Sequence, residues 1–188
     1  MSSTKMFSTI QTKSKQSVCV TEDAQVANKE DLEEIRVDMA EMKVDNRPVH
    51  LVACVGSCIA ICIYDSSSRM GGMAHVMLPQ ADVFPQEDLP AKFADTAVPA
   101  LTKAIKNSRT DCVLSAKIAG GANMFPNIRQ QSLAIGTKNI EAVKNALRLN
   151  KIPLLGEDVA GTQGRKVTFN ATTGRVIVRL LNGEVKQL

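Results

Sequence analysis

The chain has 188 residues, of which 44% are hydrophobic and 22% are charged, proportions typical of a globular domain with a substantial core. Aromatic residues make up only 3%, which argues against modules that bind single-stranded nucleic acid by stacking bases on rings. The net charge of +4 is mild and the basic residues are scattered, so a strongly basic nucleic-acid surface is also excluded.

The first residues contain no apolar segment followed by a small-residue cleavage site, and no run approaches the roughly 18 apolar residues that cross a bilayer. We therefore expect a cytoplasmic protein without membrane insertion, nucleic-acid partner or cofactor. The cysteines are odd in number, and in a reducing compartment we expect them to be free thiols. They are Cys19, Cys54, Cys58, Cys62 and Cys112.

Residues 1–32 are rich in Ser, Thr, Gln, Lys and acidic residues, and we expect a mobile tail before a single domain over residues 33–188. Within that domain, apolar runs or apolar–polar alternation predict strands, and apolar residues at helical spacing predict helices. The predicted strands cover residues 35–44, 50–55, 58–64, 72–78, 113–118, 152–155, 166–169 and 175–181. The predicted helices cover residues 90–107 and 138–149, so the class is mixed α and β with a mainly antiparallel or mixed sheet.

Two of the predicted strands bring a cysteine and a histidine together. If residues 58–64 and 71–78 form a hairpin, its turn is centred between Ser66 and Ser67, and Cys58 lies opposite His75. Directly opposed side chains share a face with Cβ atoms about 4.5–5.5 Å apart, close enough for an imidazole nitrogen to reach a sulfur. A register shift of two residues would leave the pair as diagonal neighbours, whereas a shift of one would separate them.

Such a pair could act as a nucleophile and its base. A free thiol has a pKa of about 8.5, and a neighbouring imidazolium lowers that value and increases the thiolate population. Gly56 and Ser57, just before Cys58, could bring backbone N–H groups close to a developing oxyanion. The alternative is structural, since an isolated cysteine in an apolar strand is more often a small buried hydrophobic residue.

Two other patterns do not predict a site of their own. Cys54, Cys58 and Cys62 are spaced by four, but on a strand neighbouring members would lie about 13 Å apart. Structural zinc needs four close ligands, so we predict no metal site. The glycine-rich segment Ala119–Ala122 lacks the Gly-Lys-Ser/Thr ending of a phosphate loop, and we expect it to pack beside Cys58 instead.

Several segments, taken in order, resemble the chemoreceptor glutamine deamidase (CheD) family. The Gly-Ser-Cys segment and the histidine segment are the most specific, and the resemblance extends from about residue 35 to residue 181. The matching segments are Gly56–Asp65, Gly71–Pro79, Lys117–Met124, Ile135–Asn139 and Glu157–Val167.

This resemblance implies hydrolysis of selected glutamine side chains to glutamate on methyl-accepting chemotaxis receptors. Cys58 would attack the carboxamide, and His75 would protonate the departing ammonia and then activate water. Gly120 and Gly121 would help to shape the oxyanion region. The implied fold is a layered α/β arrangement with a β-sandwich-like core flanked by helices, related to toxin-type cysteine deamidases, and the implied partners are receptors and the chemotaxis phosphatase CheC.

One position departs from the family pattern. Val52 stands six residues before the cysteine, where the family commonly has a threonine that orients the histidine, and valine cannot accept a hydrogen bond. Either another acceptor, such as a backbone carbonyl or Ser57, holds His75, or the ring is loosely held and the enzyme is slow. Two functions therefore stay open: an active receptor deamidase, favoured by the retained Cys58 and His75, and a catalytically weak or inactive regulator that binds CheC or receptors.

Overall fold

The computed structural model describes residues 32–81, 89–107, 109–124 and 132–188, with the side chains of residues 132–134 excepted. The predicted tail, apart from Leu32, lies outside the described residues. Ten strands and two helices form within these ranges. The strands are β1 (Glu33–Arg36), β2 (Met42–Asp45), β3 (Val49–Val55), β4 (Ile59–Asp65), β5 (Met70–Val76), β6 (Leu114–Gly120), β7 (Leu154–Val159), β8 (Arg165–Asn170), β9 (Val176–Leu180) and β10 (Val185–Gln187). The helices are α1 (Ala94–Lys106), preceded by a 3-10 turn at Pro90–Lys92, and α2 (Ser132–Leu149).

The strands form two five-stranded sheets. The first sheet has the order β1-β3-β8-β9-β10, in which only the β1–β3 pair is parallel. The second sheet has the order β2-β5-β4-β6-β7, in which only the β6–β7 pair is parallel. The central strand β4 is almost wholly apolar because it has a neighbour at each edge and a core on both faces.

The first sheet, the second sheet and the helices form three layers, and a hydrophobic core fills each of the two spaces between them. Between the sheets, Leu51 and Phe169 of the first sheet share a core with Met73 of the second. On the other face of the second sheet, Ile61 packs in a core with the helical residue Leu101 and with residues of α2. The predicted layered arrangement, with a β-sandwich-like core and flanking helices, is confirmed.

The predicted single strand over residues 35–44 is wrong, because β1 and β2 belong to different sheets. After β1, the Val37 N–H still donates to the Val52 carbonyl at 2.8 Å, and the chain then turns through Ala40 at a φ of 63°. Apolar–polar alternation continues across this turn, so periodicity alone could not reveal the break. Strands β8 and β9 form an antiparallel hairpin whose turn uses Gly174 at a φ of 70°.

Candidate active site

Cys58 lies where the chain passes from the first sheet to the second. Strand β3 ends at Val55, the bend Gly56–Cys58 follows, and β4 begins at Ile59. The Cys58 side chain is half-buried and packs against the core between the sheets. Cys54, four residues earlier, is exposed, whereas Cys62, four residues later, is buried. Of these three cysteines, only Cys58 is partly buried and still partly accessible to solvent.

His75 lies in β5 directly opposite Ala60 of β4. The predicted opposition of Cys58 and His75 is therefore wrong by two residues. The turn is centred between Ser67 and Ser68, one residue later than expected, because Asp65 pairs with Met70 across it. A shift of two preserves the face of every side chain, so Cys58 and His75 become diagonal neighbours.

Core packing places the two side chains on the same face. Ala60 and Met73 belong to the core between the sheets, and alternation along β4 and β5 puts Cys58 and His75 on that face with them. Ala74, which lies between Met73 and His75, belongs to the core under the helices instead. The face of the second sheet that packs against the first sheet therefore carries both candidate residues.

The His75 imidazole is oriented by a backbone carbonyl. Its Nδ1 lies 3.2 Å from the carbonyl oxygen of Val37. Because a carbonyl can only accept, Nδ1 carries the proton and Nε2 has a free lone pair. Nε2 is buried and has no hydrogen-bond partner among the described residues. The ring is thus in the tautomer that can accept a proton at Nε2.

Val52 contributes to this arrangement through its backbone. The apolar residues Leu51 and Ala53 of β3 face the core between the sheets, so the side chain of Val52 points to the opposite face of the first sheet. Its carbonyl, however, accepts the Val37 N–H and so helps to place the carbonyl that holds His75. A side-chain acceptor at position 52 is therefore not what orients this imidazole.

Burial favours the neutral forms of both candidate residues. Burial raises the pKa of the Cys58 thiol, and the Cys58 backbone N–H offsets part of that increase. Burial also lowers the pKa of His75, against the opposing effects of the Val37 carbonyl and Asp38. Both pKa shifts therefore favour a neutral thiol and a neutral imidazole over the thiolate–imidazolium pair expected from the sequence.

The glycine-rich segment packs directly on the bend that carries Cys58. The Gly121 N–H donates to the Cys58 carbonyl and the Ala122 N–H donates to the Gly56 carbonyl, both at 2.8 Å. At Gly120, where φ is 126°, a Cβ atom would lie 2.1 Å from the Cys58 carbonyl oxygen. Glycine is required here because no side chain fits and because φ is positive.

Comparisons with known proteins show which family this chain resembles. A family model described as CheD chemotactic sensory transduction matches residues 77–180. A probable chemoreceptor glutamine deamidase CheD of Clostridium acetobutylicum is 36% identical over 163 residues, which cover 85% of this chain and 98% of that protein. A protein of the same description from Clostridium botulinum strain Hall is 38% identical over 162 residues, covering 84% of this chain and 99% of that protein.

This chain belongs to the CheD family.

The CheD family model begins at Met77, just beyond both candidate residues. The relatives extend further, since a match that covers 85% of this chain includes Cys58 and His75 wherever it starts. Among the described residues, no three His, Cys, Asp or Glu side chains gather as metal ligands. None of the described helices is long and apolar enough to cross a membrane.

The sequence did not point to Arg165, which supports the glycine-rich segment in this CheD family member. Its guanidinium is buried and contacts the carbonyl oxygens of Gly120 at 3.3 Å and Ala160 at 2.6 Å, together with that of Asp158. Burial lowers the Arg165 pKa, while the Asp158 carboxylate raises it. An arginine at the start of β8 was the available signal, but it does not reveal the contact with Gly120, which lies 45 residues away in the sequence.

Proposed function

We propose that this CheD family member hydrolyses glutamine side chains of chemoreceptors to glutamate, with Cys58 as nucleophile and His75 as general base and acid. The relatives reported above are described as probable chemoreceptor glutamine deamidases. The observation that carries the assignment of residues is the orientation of His75, whose Nδ1 is held by the Val37 carbonyl while Nε2 has no partner among the described residues. Nε2 is therefore available to a thiol on the same face of the sheet.

The first step joins the receptor to the enzyme. His75 Nε2 accepts the thiol proton as Cys58 Sγ attacks the carboxamide carbon, and the carbonyl π electrons move to oxygen. Within the described residues, the backbone N–H of Ser57 donates no backbone hydrogen bond, so it is available to the oxyanion. A Cβ atom at Gly56 would lie 2.2 Å from Met124 Sδ, so a larger residue there would require the Met124 side chain to shift.

The later steps return the enzyme to its resting state. As the C–N bond breaks, His75 delivers its Nε2 proton to the leaving nitrogen, and ammonia departs from a Cys58 thioester. Water then attacks the thioester carbon while His75 accepts one of its protons. Collapse of this second intermediate breaks the C–S bond, the sulfur regains the proton from His75, and glutamate is released. One water is consumed for each ammonia formed.

Mass spectrometry of receptor cytoplasmic fragments tests this function. Incubation with the wild type should produce the mass increase that accompanies replacement of an amide by a carboxylate, and Cys58→Ala should produce none. Cys54→Ala is the matched control, because that exposed cysteine lies four residues away on the adjoining strand and should retain activity. Fragments of unchanged mass after incubation with the wild type would refute the deamidase function.

A non-catalytic regulator is the second candidate, and the raised pKa of Cys58 favours it because a protonated thiol is a weak nucleophile. Such a regulator would act by binding the phosphatase CheC or receptors, and CheC is also the partner that we propose for an active deamidase. Equal binding of CheC by the wild type and Cys58→Ala, without a mass change in either incubation, would support the regulator.

We place the proposed reaction in the cytoplasm. The nucleophile must remain a free thiol, and a reducing compartment keeps it so. The four described cysteines, Cys54, Cys58, Cys62 and Cys112, are all unpaired.

A further inference from the structure

Asn139 is a completely buried polar residue on α2. Its Nδ2 donates to the Ser57 carbonyl at 3.0 Å and to the Met77 carbonyl at 2.9 Å. Both partners can only accept, so the amide nitrogen rather than the amide oxygen must face them. The two hydrogens of one side-chain nitrogen therefore join two segments that are distant in sequence.

These two segments carry the candidate nucleophile and base. Ser57 immediately precedes Cys58, and Met77 is the second residue after His75. The β4–β5 ladder ends at the pair formed by Ile59 and Val76, so both carbonyls lie beyond its last pair. Asn139 thus connects the segment before β4 with the segment after β5, beyond the last residue pair of the β4–β5 ladder.

The helix is held close enough for this contact by a second glycine. At Gly136, one turn before Asn139, a Cβ atom would lie 2.6 Å from the carbonyl oxygen of Gly121. Gly121 in turn donates its N–H to the Cys58 carbonyl. Gly121 therefore contacts both α2 and the bend that carries Cys58, so it affects the position of each.

Resting on the function proposed above, we propose that Asn139 is a positioning residue that holds Cys58 and His75 in the alignment needed for proton transfer. The inference depends on the two amide hydrogen bonds rather than on contact with substrate. Without them, the bend before β4 and the end of β5 can separate while the rest of the sheet remains intact. Proton transfer between sulfur and nitrogen is sensitive to such a displacement, since a shift of about 1 Å can reduce rates about a hundredfold.

Steady-state deamidation kinetics of Asn139→Ala and Asn150→Ala provide the first test. Asn150 is a matched control, because its Nδ2 also donates to a backbone carbonyl, that of Ala146 at 2.8 Å, but at the other end of α2. Asn139→Ala should lower kcat at least about tenfold, whereas KM should change less than about threefold. Asn150→Ala should leave both constants close to those of the wild type.

Alkylation of Cys58 by iodoacetamide, followed by peptide mass spectrometry, provides a readout that does not depend on deamidation. Loss of Asn139 should open the bend, expose the thiol and increase its alkylation rate at pH 8 at least about threefold. Deamidation and thiol reactivity would then change in opposite directions. Exposed Cys54 in the same sample reports any general change in reagent reactivity.

Asn139→Leu guards against misfolding of the alanine variant, because leucine fills a similar volume beside Val143 and Leu147 and donates no hydrogen bond. The positioning role is supported if either folded Asn139 variant shows the two opposite changes. It is refuted if a folded variant retains the wild-type kcat and alkylation rate, or if Asn150→Ala loses as much activity. If the wild type converts no receptor glutamine to glutamate, the deamidase function is refuted instead. The alkylation rates would still decide whether Asn139 holds the bend.

Discussion

His75 and Cys58 both have pKa values displaced toward their neutral forms, and burial is the main cause in each case. A preformed ion pair would need charge stabilisation that the described surroundings do not supply. The Val37 carbonyl stabilises an Nδ1 proton, but it does so for both the neutral and the protonated ring. The proposed reaction at this site would therefore depend on proton transfer during attack rather than on a thiolate present beforehand.

We predict that two pH profiles of the wild type will separate. Because His75 must be neutral to accept a proton and its pKa is lowered, kcat/KM should rise with pH through a midpoint below the ordinary histidine value of about 6.5. Because the Cys58 pKa is raised, its alkylation rate should rise with a midpoint above the ordinary thiol value of about 8.5. Stopped-time assays and peptide mass spectrometry measure the two profiles. An alkylation rate already at its plateau at pH 7 would indicate a preformed thiolate and contradict the neutral pair.

At the scale of elements, the candidate site is made by three segments that meet between ordered strands. The bend after β3 supplies Cys58, the end of β5 supplies His75, and the turn after β6 supports the Cys58 carbonyl. Backbone hydrogen bonds connect the bend after β3 with the turn after β6. Close backbone approach is possible only where side chains are absent, which explains the glycine at position 120.

Gly120→Ala should therefore damage both stability and activity. The added methyl would displace the Cys58 carbonyl, and alanine is strained at a φ of 126°, so we expect a loss of about 1–3 kcal/mol in unfolding free energy. We expect kcat to fall about a hundredfold because the nucleophile moves with its carbonyl. Urea denaturation and deamidation kinetics measure the two effects.

Gly183→Ala is the matched control for this substitution. Gly183 also has a positive φ, of 91°, but a Cβ atom there would meet no heavy atom within 4 Å. This variant should share the backbone strain and retain the wild-type kcat. Equal losses of kcat in the two variants would show that strain, and not displacement of Cys58, accounts for the effect.

At the scale of the whole molecule, the register of the central hairpin decides which side chains meet. The buried carboxylate of Asp65 accepts hydrogen bonds from Ser67 and Ser68 in the turn and from the Val113 N–H before β6. Burial alone would raise the Asp65 pKa, but these hydrogen bonds together lower it well below its usual range. Asp65 thus joins the turn between β4 and β5 to the next strand of the second sheet.

Asp65→Ala should destabilise the fold by about 2–3 kcal/mol at pH 7, because it leaves two backbone N–H groups and two hydroxyls without their acceptor. A carboxylate whose pKa is lowered on folding stabilises the protein above its ordinary pKa of about 3.9, and this stabilisation declines as pH falls below that value. The difference between wild type and variant should therefore shrink between pH 5 and pH 3 in urea denaturation.

Arg109 pairs with Asp65 at 3.9 Å and with Asp111 at 3.1 Å, and Asp111→Ala is the control because the Asp111 side chain is 72% exposed. Exposed pairs contribute little, so Asp111→Ala should change the unfolding free energy by less than about 1 kcal/mol. If Asp65→Ala lowered the unfolding free energy by the same amount at every pH, the prediction that the Asp65 carboxylate is charged in the folded protein would be contradicted.

Most elements could be predicted from periodicity, and the exceptions have identifiable causes. Strands β3, β4 and β8 were clear because their apolar runs are bounded by turn residues, and α1 was clear from its amphipathic spacing. Strand β10 was missed because all three of its residues are exposed and carry no hydrophobic pattern. The candidate site was predicted in part: Cys58 and His75 stood out by residue type and motif. Asn139 contacts carbonyl groups 82 and 62 residues away, and Arg165 contacts that of Gly120, 45 residues away, so their roles were not apparent.

The amino-acid sequence determined the class, the two candidate residues and the face that they share, because side-chain alternation along a strand is a local property. It did not determine the hairpin register, since four polar residues after β4 allow turns with more than one centre, and the buried hydrogen bonds of Asp65 select among them. The group that orients His75 was likewise decided only by tertiary structure. Every residue carries the same backbone carbonyl, so the one that meets an imidazole depends on how the chain crosses from β1 to β2.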